Sequence, residues 1–438
     1  MTYRDPTTIT ISAVFAAFAL GACSDDGTAA EETATSGITQ PDTTGTGAST
    51  GGETPTTGEP PTTADTTDGP GSTSAPATTG EPGTTSEPGT TTEATTGEPV
   101  GWQPPACDSV TGTGAVTFSH DDGATQAPMD QVIVPVHYTF GLVALGKPGA
   151  MLAGSGAEIL ASSDAGCSWH SIGMAGGGNT PAVRLHAAGE TRAYGFGDND
   201  SVLVRVDDEQ ITKLTAPGDM LVGLGVDPTD PDHVRVGDWL GHMWDSTDAG
   251  VQWTPLGKSP ISPDKLVYRL VFDPNDIDHV IAGTLADGVF TSGDGGQMWM
   301  HASGIGPGDA NGFNLVISPA DGNVVWVEGL DLEEPDDAKS RHIWRSEDGG
   351  LEFTAVVDSD DATLYNGNHL FAHPTDTDVL YFVFGSNFQN YGTDLFRYDH
   401  ADGTITTTHN KWHDTVITFL PGDPSWIYMG LSIEPGGG

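Results

Sequence analysis

A chain of 438 residues that carries 60 Gly and 30 Pro but is only 36% hydrophobic cannot be packed core throughout, which excludes one undivided globular body. Its formal net charge of −46, from 61 Asp and Glu against 15 Lys and Arg, excludes a nucleic-acid binder, because such a surface repels phosphate backbones and anionic lipid headgroups alike. A cationic partner, a neutral glycan or a divalent cation stays open.

The first predicted element is the apolar, small-residue run over residues 9–22 (ITISAVFAAFALGA), which follows Arg4 and ends at Leu20-Gly21-Ala22-Cys23. It is too short to span a bilayer and suits the core of a signal peptide. The Leu-Gly-Ala-Cys junction resembles the lipobox of bacterial lipoproteins. That resemblance implies a signal peptide over residues 1–22, acylation of Cys23 and attachment to the outer membrane or cell surface by the lipid alone. An ordinary secretory signal is the alternative, favoured by an n-region in which Asp5 offsets Arg4.

Residues 23–105 read as a disordered stalk. The segment is built from Thr, Gly, Pro, Ser, Ala and Glu, repeats TTGEP from Thr56, Thr78 and Thr95, and holds no Lys or Arg. Nothing in it buries enough apolar surface to offset the entropy of ordering. The remaining 106–438 keeps 47 acids against 14 Lys and Arg. With Cys23 acylated, Cys107 and Cys167 are the two thiols left in a compartment where disulfides persist, and they are expected to pair.

Within 106–438 the pattern Ser-x-Asp-x-Gly-x-x-Trp/Phe occurs four times, as Ser162-Asp164-Gly166-Trp169, Ser246-Asp248-Gly250-Trp253, Ser292-Asp294-Gly296-Trp299 and Ser346-Asp348-Gly350-Phe353. Apolar strands ending in Pro-marked turns accompany it: Val226-Asp227-Pro228, Phe272-Asp273-Pro274, Ile317-Ser318-Pro319 and Ala372-His373-Pro374. Two further strands lead to each box, and a fourth starts at its aromatic. Four short strands per unit is a propeller blade. Ser and Asp can accept backbone N–H groups of a tight turn, Gly supplies positive φ, and the aromatic buries its ring between sheets, all of them structural duties. These boxes resemble the Asp-box (BNR repeat) of sialidases, sortilin-type propellers, xyloglucan-hydrolysing enzymes and the photosystem II assembly factor family. The resemblance implies an all-β propeller and says nothing specific about activity.

Box spacings of 84, 46 and 54 residues predict a blade with a decayed box between the first two, with strands near Arg192 and Val202. A sixth unit ends in a degenerate turn over residues 399–403. The last unit has two strands, and its missing half appears at the other end, where Ser119-x-Asp121-x-Gly123 forms a fifth box with Gln126 in place of the aromatic. The N-terminal strands are therefore expected to complete the last of seven four-stranded blades, hiding two sheet edges. A larger ring is the alternative should the sequence continue past Gly438.

The propeller mouth is where function is expected, in the irregular segments 330–340, 358–361, 365–369, 385–393 and 412–414. The candidate ligand-binding residues are Asp238, Trp239, Asp331, Tyr365, Asn368, His369, His413 and Asp414. Sialidase chemistry is disfavoured: Arg205, Arg341, Arg345 and Arg397 fall on predicted third strands, away from the mouth, so no Arg triad assembles. No catalytic residue is assigned, and an enzyme is less favoured than a binder. No metal-ligand spacing or cofactor motif stands out, although an acidic mouth is compatible with calcium. The leading reading is a surface-anchored binding or scaffold propeller for a protein or glycan. A glycoside hydrolase acting on a neutral polysaccharide and an envelope complex assembly factor are the alternatives.

Overall fold

The computed structural model describes residues 101–107, 116–128, 139–176, 183–197, 200–263, 265–305, 311–335, 339–364, 369–383, 393–410 and 414–431. The chain divides into Met1–Thr90 and Thr91–Gly438. The predicted signal segment, Cys23 and the stalk as far as residue 100 lie outside the described residues, as do Tyr365, Asn368, His413 and residues 385–392.

The described residues form 28 strands and no helix. In chain order, β1 (Val116–Ser119) and β2 (Ala127–Pro128) come first, and blade 1 follows with β3 (Thr139–Ala144), β4 (Met151–Ser155), β5 (Glu158–Ser162) and β6 (His170–Met174). Blade 2 is β7 (Val183–Ala187), β8 (Arg192–Gly197), β9 (Val202–Asp207) and β10 (Gln210–Thr215). Blade 3 is β11 (Leu221–Val226), β12 (Val234–Asp238), β13 (His242–Ser246) and β14 (Thr254–Lys258). Blade 4 is β15 (Val267–Asp273), β16 (Asp276–Thr284), β17 (Val289–Ser292) and β18 (Met300–His301). Blade 5 is β19 (Asn311–Ile317), β20 (Val325–Leu330), β21 (Arg341–Ser346) and β22 (Thr354–Asp358). Blade 6 is β23 (His369–Ala372), β24 (Val379–Val383), β25 (Thr393–Asp399) and β26 (Thr404–Asn410). The last strands are β27 (Asp414–Leu420) and β28 (Asp423–Leu431).

Each blade is an antiparallel meander, and the seventh has the order β2-β1-β28-β27. β1 pairs with β28 through Thr117↔Met429 and Phe118↔Tyr428, so the N-terminal strands complete the ring as the sequence predicts. The Cys107–Cys167 disulfide, with Cα atoms 5.5 Å apart, joins the segment ahead of β1 to the β5–β6 turn of blade 1.

Strand alternation sends one face of every sheet into the next, and the buried apolar residues fall into seven clusters, one between each pair of neighbouring blades. The cluster between blades 7 and 1 packs Phe118, Tyr428 and Leu420 against Met151, Leu160 and Trp169. Blades approach closely on the inside. A Cβ on Gly223 of β11 would stand 2.3 Å from the Leu270 carbonyl oxygen of β15, so only glycine fits that contact.

The Ser-x-Asp-x-Gly turns share one geometry. In blade 4 the Ser292 hydroxyl donates to Asp294 at 2.9 Å and accepts the buried Gly296 N–H at 2.9 Å, while the Asp294 carboxylate accepts Met298 N–H at 2.8 Å. The N-terminal turn repeats this: Ser119 accepts Gly123 N–H at 2.8 Å and Asp121 accepts Thr125 N–H at 2.8 Å. Backbone N–H groups, that of Gln252 first for Asp248 and that of Met298 first for Asp294, hold these carboxyls below their ordinary range. The aromatics seal blade junctions: Trp169 and Phe353 are buried, and Trp253 and Trp299 pack against the clusters that join their blades to the preceding ones.

Candidate functional site

A four-stranded meander puts the connections between its second and third strands at one end, together with the connections from blade to blade. The opposite end collects the first hairpin turns and the Ser-x-Asp-x-Gly turns. Among the candidates in the described residues, Asp238 closes β12, Trp239 follows it, Asp331 follows β20, and His369 and Asp414 open β23 and β27, so all five come to the first of these ends.

Their local chemistry differs. Asp238 is buried, at 4% exposure, and caps its own turn: its carboxylate accepts the N–H groups of Leu240 and His242 at 3.0 and 2.9 Å and lies 3.1 Å from His242 Nδ1. Trp239 stitches blades, its N–H donating to Met220 O at 3.1 Å and its carbonyl accepting Val267 N–H at 2.8 Å. Asp331 accepts Glu333 N–H at 2.9 Å and donates its own N–H to Ser340 O at 2.7 Å, which pins the base of the 330–340 connection. Exposed leucines lie beside these anchors, Leu240 at 41% and Leu332 at 44%. The His369 ring stacks on Phe371 with centroids 6.4 Å apart. Among the described residues no three His, Cys, Asp or Glu side chains gather in metal-ligand geometry.

The arginines need one correction. Arg205, Arg345 and Arg397 lie within third strands, but Arg341 opens β21 directly after the 330–340 connection, at the mouth end and not away from it. A third strand starts where the mouth connection ends, and strand membership alone does not reveal that. At the opposite end arginines staple blades: Arg235 bridges Asp245 of its own blade at 2.7 Å and Asp278 of the next at 2.5 Å. Arg192 pairs with Asp207 and Asp232, and Arg345 with Glu347 and, at 3.0 Å, Asp378. There Asp227 takes hydrogen bonds from the Thr229 N–H and hydroxyl and from His233, which hold its carboxyl down at about 2.

The first strands of all seven blades enclose a central channel of about 860 Å³. Arg184, His186, Arg269 and Asn314 are among its lining residues, beside apolar groups such as Phe140, Val271 and Phe371. Sequence reasoning missed these polar residues because it looked for function in loops. The usable signal was the alternation in VRLHA of β7, where Val183 and Leu185 are buried and Arg184 and His186 are half-buried.

No family model matches the chain. It is 48% identical over 340 residues to the dispase autolysis-inducing protein of Streptomyces mobaraensis, an alignment that takes in 76% of this chain and 90% of that protein. The chain belongs to the dispase autolysis-inducing protein family. Solved structures of similar fold include YCF48 from Cyanidioschyzon merolae, at 14% identity and a TM-score of 0.48 over 69% of this chain and 98% of that one. They also include the GH74 xyloglucanase from Xanthomonas campestris, at 13% identity and a TM-score of 0.48 over 72% and 57%. An ancestral GH74 enzyme is 14% identical with a TM-score of 0.44 over 70% of this chain, which spans only 40% of that enzyme. These three similarities concern fold alone.

Proposed function

We propose that this family member is a surface-anchored propeller that binds a protein partner through its mouth and alters that partner's behaviour. The observation that carries the reading is the 48% identity over 340 residues with a relative whose name says that it induces the autolysis of dispase, which is an action on another protein. The mouth geometry supports it. Asp238, Trp239 and Asp331 anchor the bases of two connections in which Leu240 and Leu332 stand exposed near acids such as Glu333, Asp358 and Asp360. Apolar contact groups within a polar rim match the general anatomy of a protein interface. On this reading the Ser-x-Asp-x-Gly turns are Asp-boxes with a structural duty, and Cys23 carries the lipid that holds the propeller at the cell surface.

The direct test mixes the full chain, solubilised by Cys23→Ser, with dispase and follows dispase fragments on gels. Faster fragmentation is expected, together with its loss in a Leu240→Asp/Leu332→Asp variant. Fragmentation at the rate of dispase alone would overturn the reading. Intact-mass measurement of the membrane-extracted protein tests the anchor: a diacylglyceryl adduct on a chain starting at Cys23 is expected, and an unmodified N-terminus would refute it.

A further inference from the structure

We propose that the junction between blades 6 and 7 holds a binding site for a planar aromatic ring of indole size, seated where the other Ser-x-Asp-x-Gly turns place an aromatic residue of their own. The site lies at the end opposite the mouth, so its ligand is independent of the partner proposed above.

Each aromatic turn seals its blade against the preceding one. A Cβ on Gly250, Gly296 or Gly350 would stand 3.4, 3.3 or 3.7 Å from the ring of Trp253, Trp299 or Phe353, and 2.8, 2.4 or 2.7 Å from Leu214, Met243 or Ile281 of the blade before. Gly123 of blade 7 docks on blade 6 in the same way, with its Cβ position 2.7 Å from Leu395. The other atoms nearest to it belong to Leu395 and Tyr381, and none to its own turn. Position 126, where the ring would stand, is Gln126, whose amide nitrogen and oxygen are buried and make no hydrogen bond. The outer half of this junction is correspondingly poor in apolar groups. Among the described residues, the other six clusters each include a residue of an outer strand or a turn, such as Trp169, Leu214, Leu256 or Ile405. The cluster between blades 6 and 7 draws only on β23, β24, β25, β27 and β28.

A cavity of about 220 Å³ occupies that place, lined by Gly123 and Ala124 of the turn, Leu395 and Arg397 of β25, and Thr406 and Thr408 of β26. Ala124 and Thr406 are exposed, so the cavity opens to solvent. A space of roughly 150 Å³ is enough to take up benzene, which leaves room here for a bicyclic ring. The wall chemistry suits such a ring. Leu395 offers apolar contact, and the Arg397 guanidinium, paired with Asp399 at 3.4 Å, is a cation that can also lie against a π face. Trp169 and Trp299 donate their indole N–H to the carbonyl of the turn glycine at 2.9 Å. In blade 7 the Gly123 carbonyl accepts the Thr408 hydroxyl at 2.7 Å instead, and its second lone pair can take an N–H from a ligand. Of the two carboxylates at the wall, Asp121 is taken up by Ser119 and Thr125, and Asp122 stands exposed. Their charge favours a neutral ring over an aromatic acid.

The test is calorimetric titration of the full Cys23→Ser chain with indole and with N-acetyltryptophanamide, using cyclohexanol as the saturated comparison. Saturable binding of indole is expected, and binding of N-acetyltryptophanamide as well would show that a tryptophan side chain can supply the ring. Gln126→Trp restores the missing aromatic. It should abolish binding and raise Tm by about 1–3 °C, the range that filling a cavity gives in a fold of this size. Thr406→Arg obstructs the opening from an exposed position and should also abolish binding, which keeps the test open if the tryptophan variant misfolds, as circular dichroism would reveal. Absence of saturable binding of either aromatic probe, or equal binding of cyclohexanol, would overturn the proposal. So would full affinity in a folded Gln126→Trp or Thr406→Arg variant, which would put the ring elsewhere, as in the central channel.

Discussion

Removing the Cys107–Cys167 bridge should lower stability by an amount that loop length sets. The two cysteines are 60 residues apart, and closing a loop of that size in the unfolded chain corresponds to about 4 kcal/mol at 25 °C. With an unfolding entropy near 2.1 cal/mol/K per residue, a folded part of roughly 330 residues loses about 0.7 kcal/mol per degree near its midpoint, so the same perturbation lowers Tm by about 6 °C. The assay is differential scanning calorimetry of the Cys107→Ser/Cys167→Ser variant and of the unaltered protein with and without reductant. Because Cys107 packs against the cluster that joins blade 7 to blade 1, hydrogen exchange should also quicken first in β1 and β28. A drop below about 1 °C would refute the loop-entropy reasoning. A further drop when reductant is added to the double variant would show that the bridge is not its target.

Three other outcomes are expected. Ser292→Ala leaves the buried Gly296 N–H without its acceptor and should cost about 1–3 kcal/mol in urea unfolding, whereas the same change at exposed Ser168 should cost less. Gly223→Ala places a methyl 2.3 Å from Leu270 O, so blades 3 and 4 must part, and we expect a destabilisation of about 1–3 kcal/mol with accelerated exchange in β11 and β15. His186 is held near 4, below its ordinary value of 6.5. Between those values the unfolded chain binds the extra proton, so stability is fully present above pH 6.5 and falls as the pH drops toward 4. His186→Gln should flatten that part of the urea midpoint profile, and an unchanged slope would count against a buried neutral imidazole.

The architecture was legible because the turn chemistry repeats. Ser, Asp and Gly recur at fixed offsets because one hydroxyl and one carboxylate must take the same backbone N–H groups in every such turn. The degenerate blades were legible by spacing alone, and the structure shows what replaced the box. Blade 2 turns on two residues, Asp208 and Glu209, at φ 46° and 65°, a hairpin geometry that needs no serine. Blade 6 turns over residues 400–403 with Gly403 at φ 71°. The candidate site was legible only in part. Sequence placed Asp238 and Asp331 at the mouth, but it could not tell that Asp238 is buried in its own turn, because the capping partners of Asp238 are backbone groups that any sequence supplies. Arg184 and Arg269 escaped notice for the opposite reason. A channel exists only once seven separate strands have come together, and no local pattern on any one of them announces the space they enclose.

The pairing of β1 with β28 sets the order in which the molecule can be made. Thr117 and its partner Met429 lie at opposite ends of the propeller sequence, so blades 1 to 6 can stack while the first hairpin waits with both sheet edges bare. Until closure the folding chain is an open arc, and its two unpaired ends are the surfaces most exposed to wrong partners, including another copy of the same arc. Ring closure is thus a single late event over the longest sequence separation in the fold, and we expect it to be the slow step of folding. Oxidation of Cys107 with Cys167 links segments only 60 residues apart, so it can hold the waiting N-terminal hairpin beside blade 1, at the place where the last two strands must arrive.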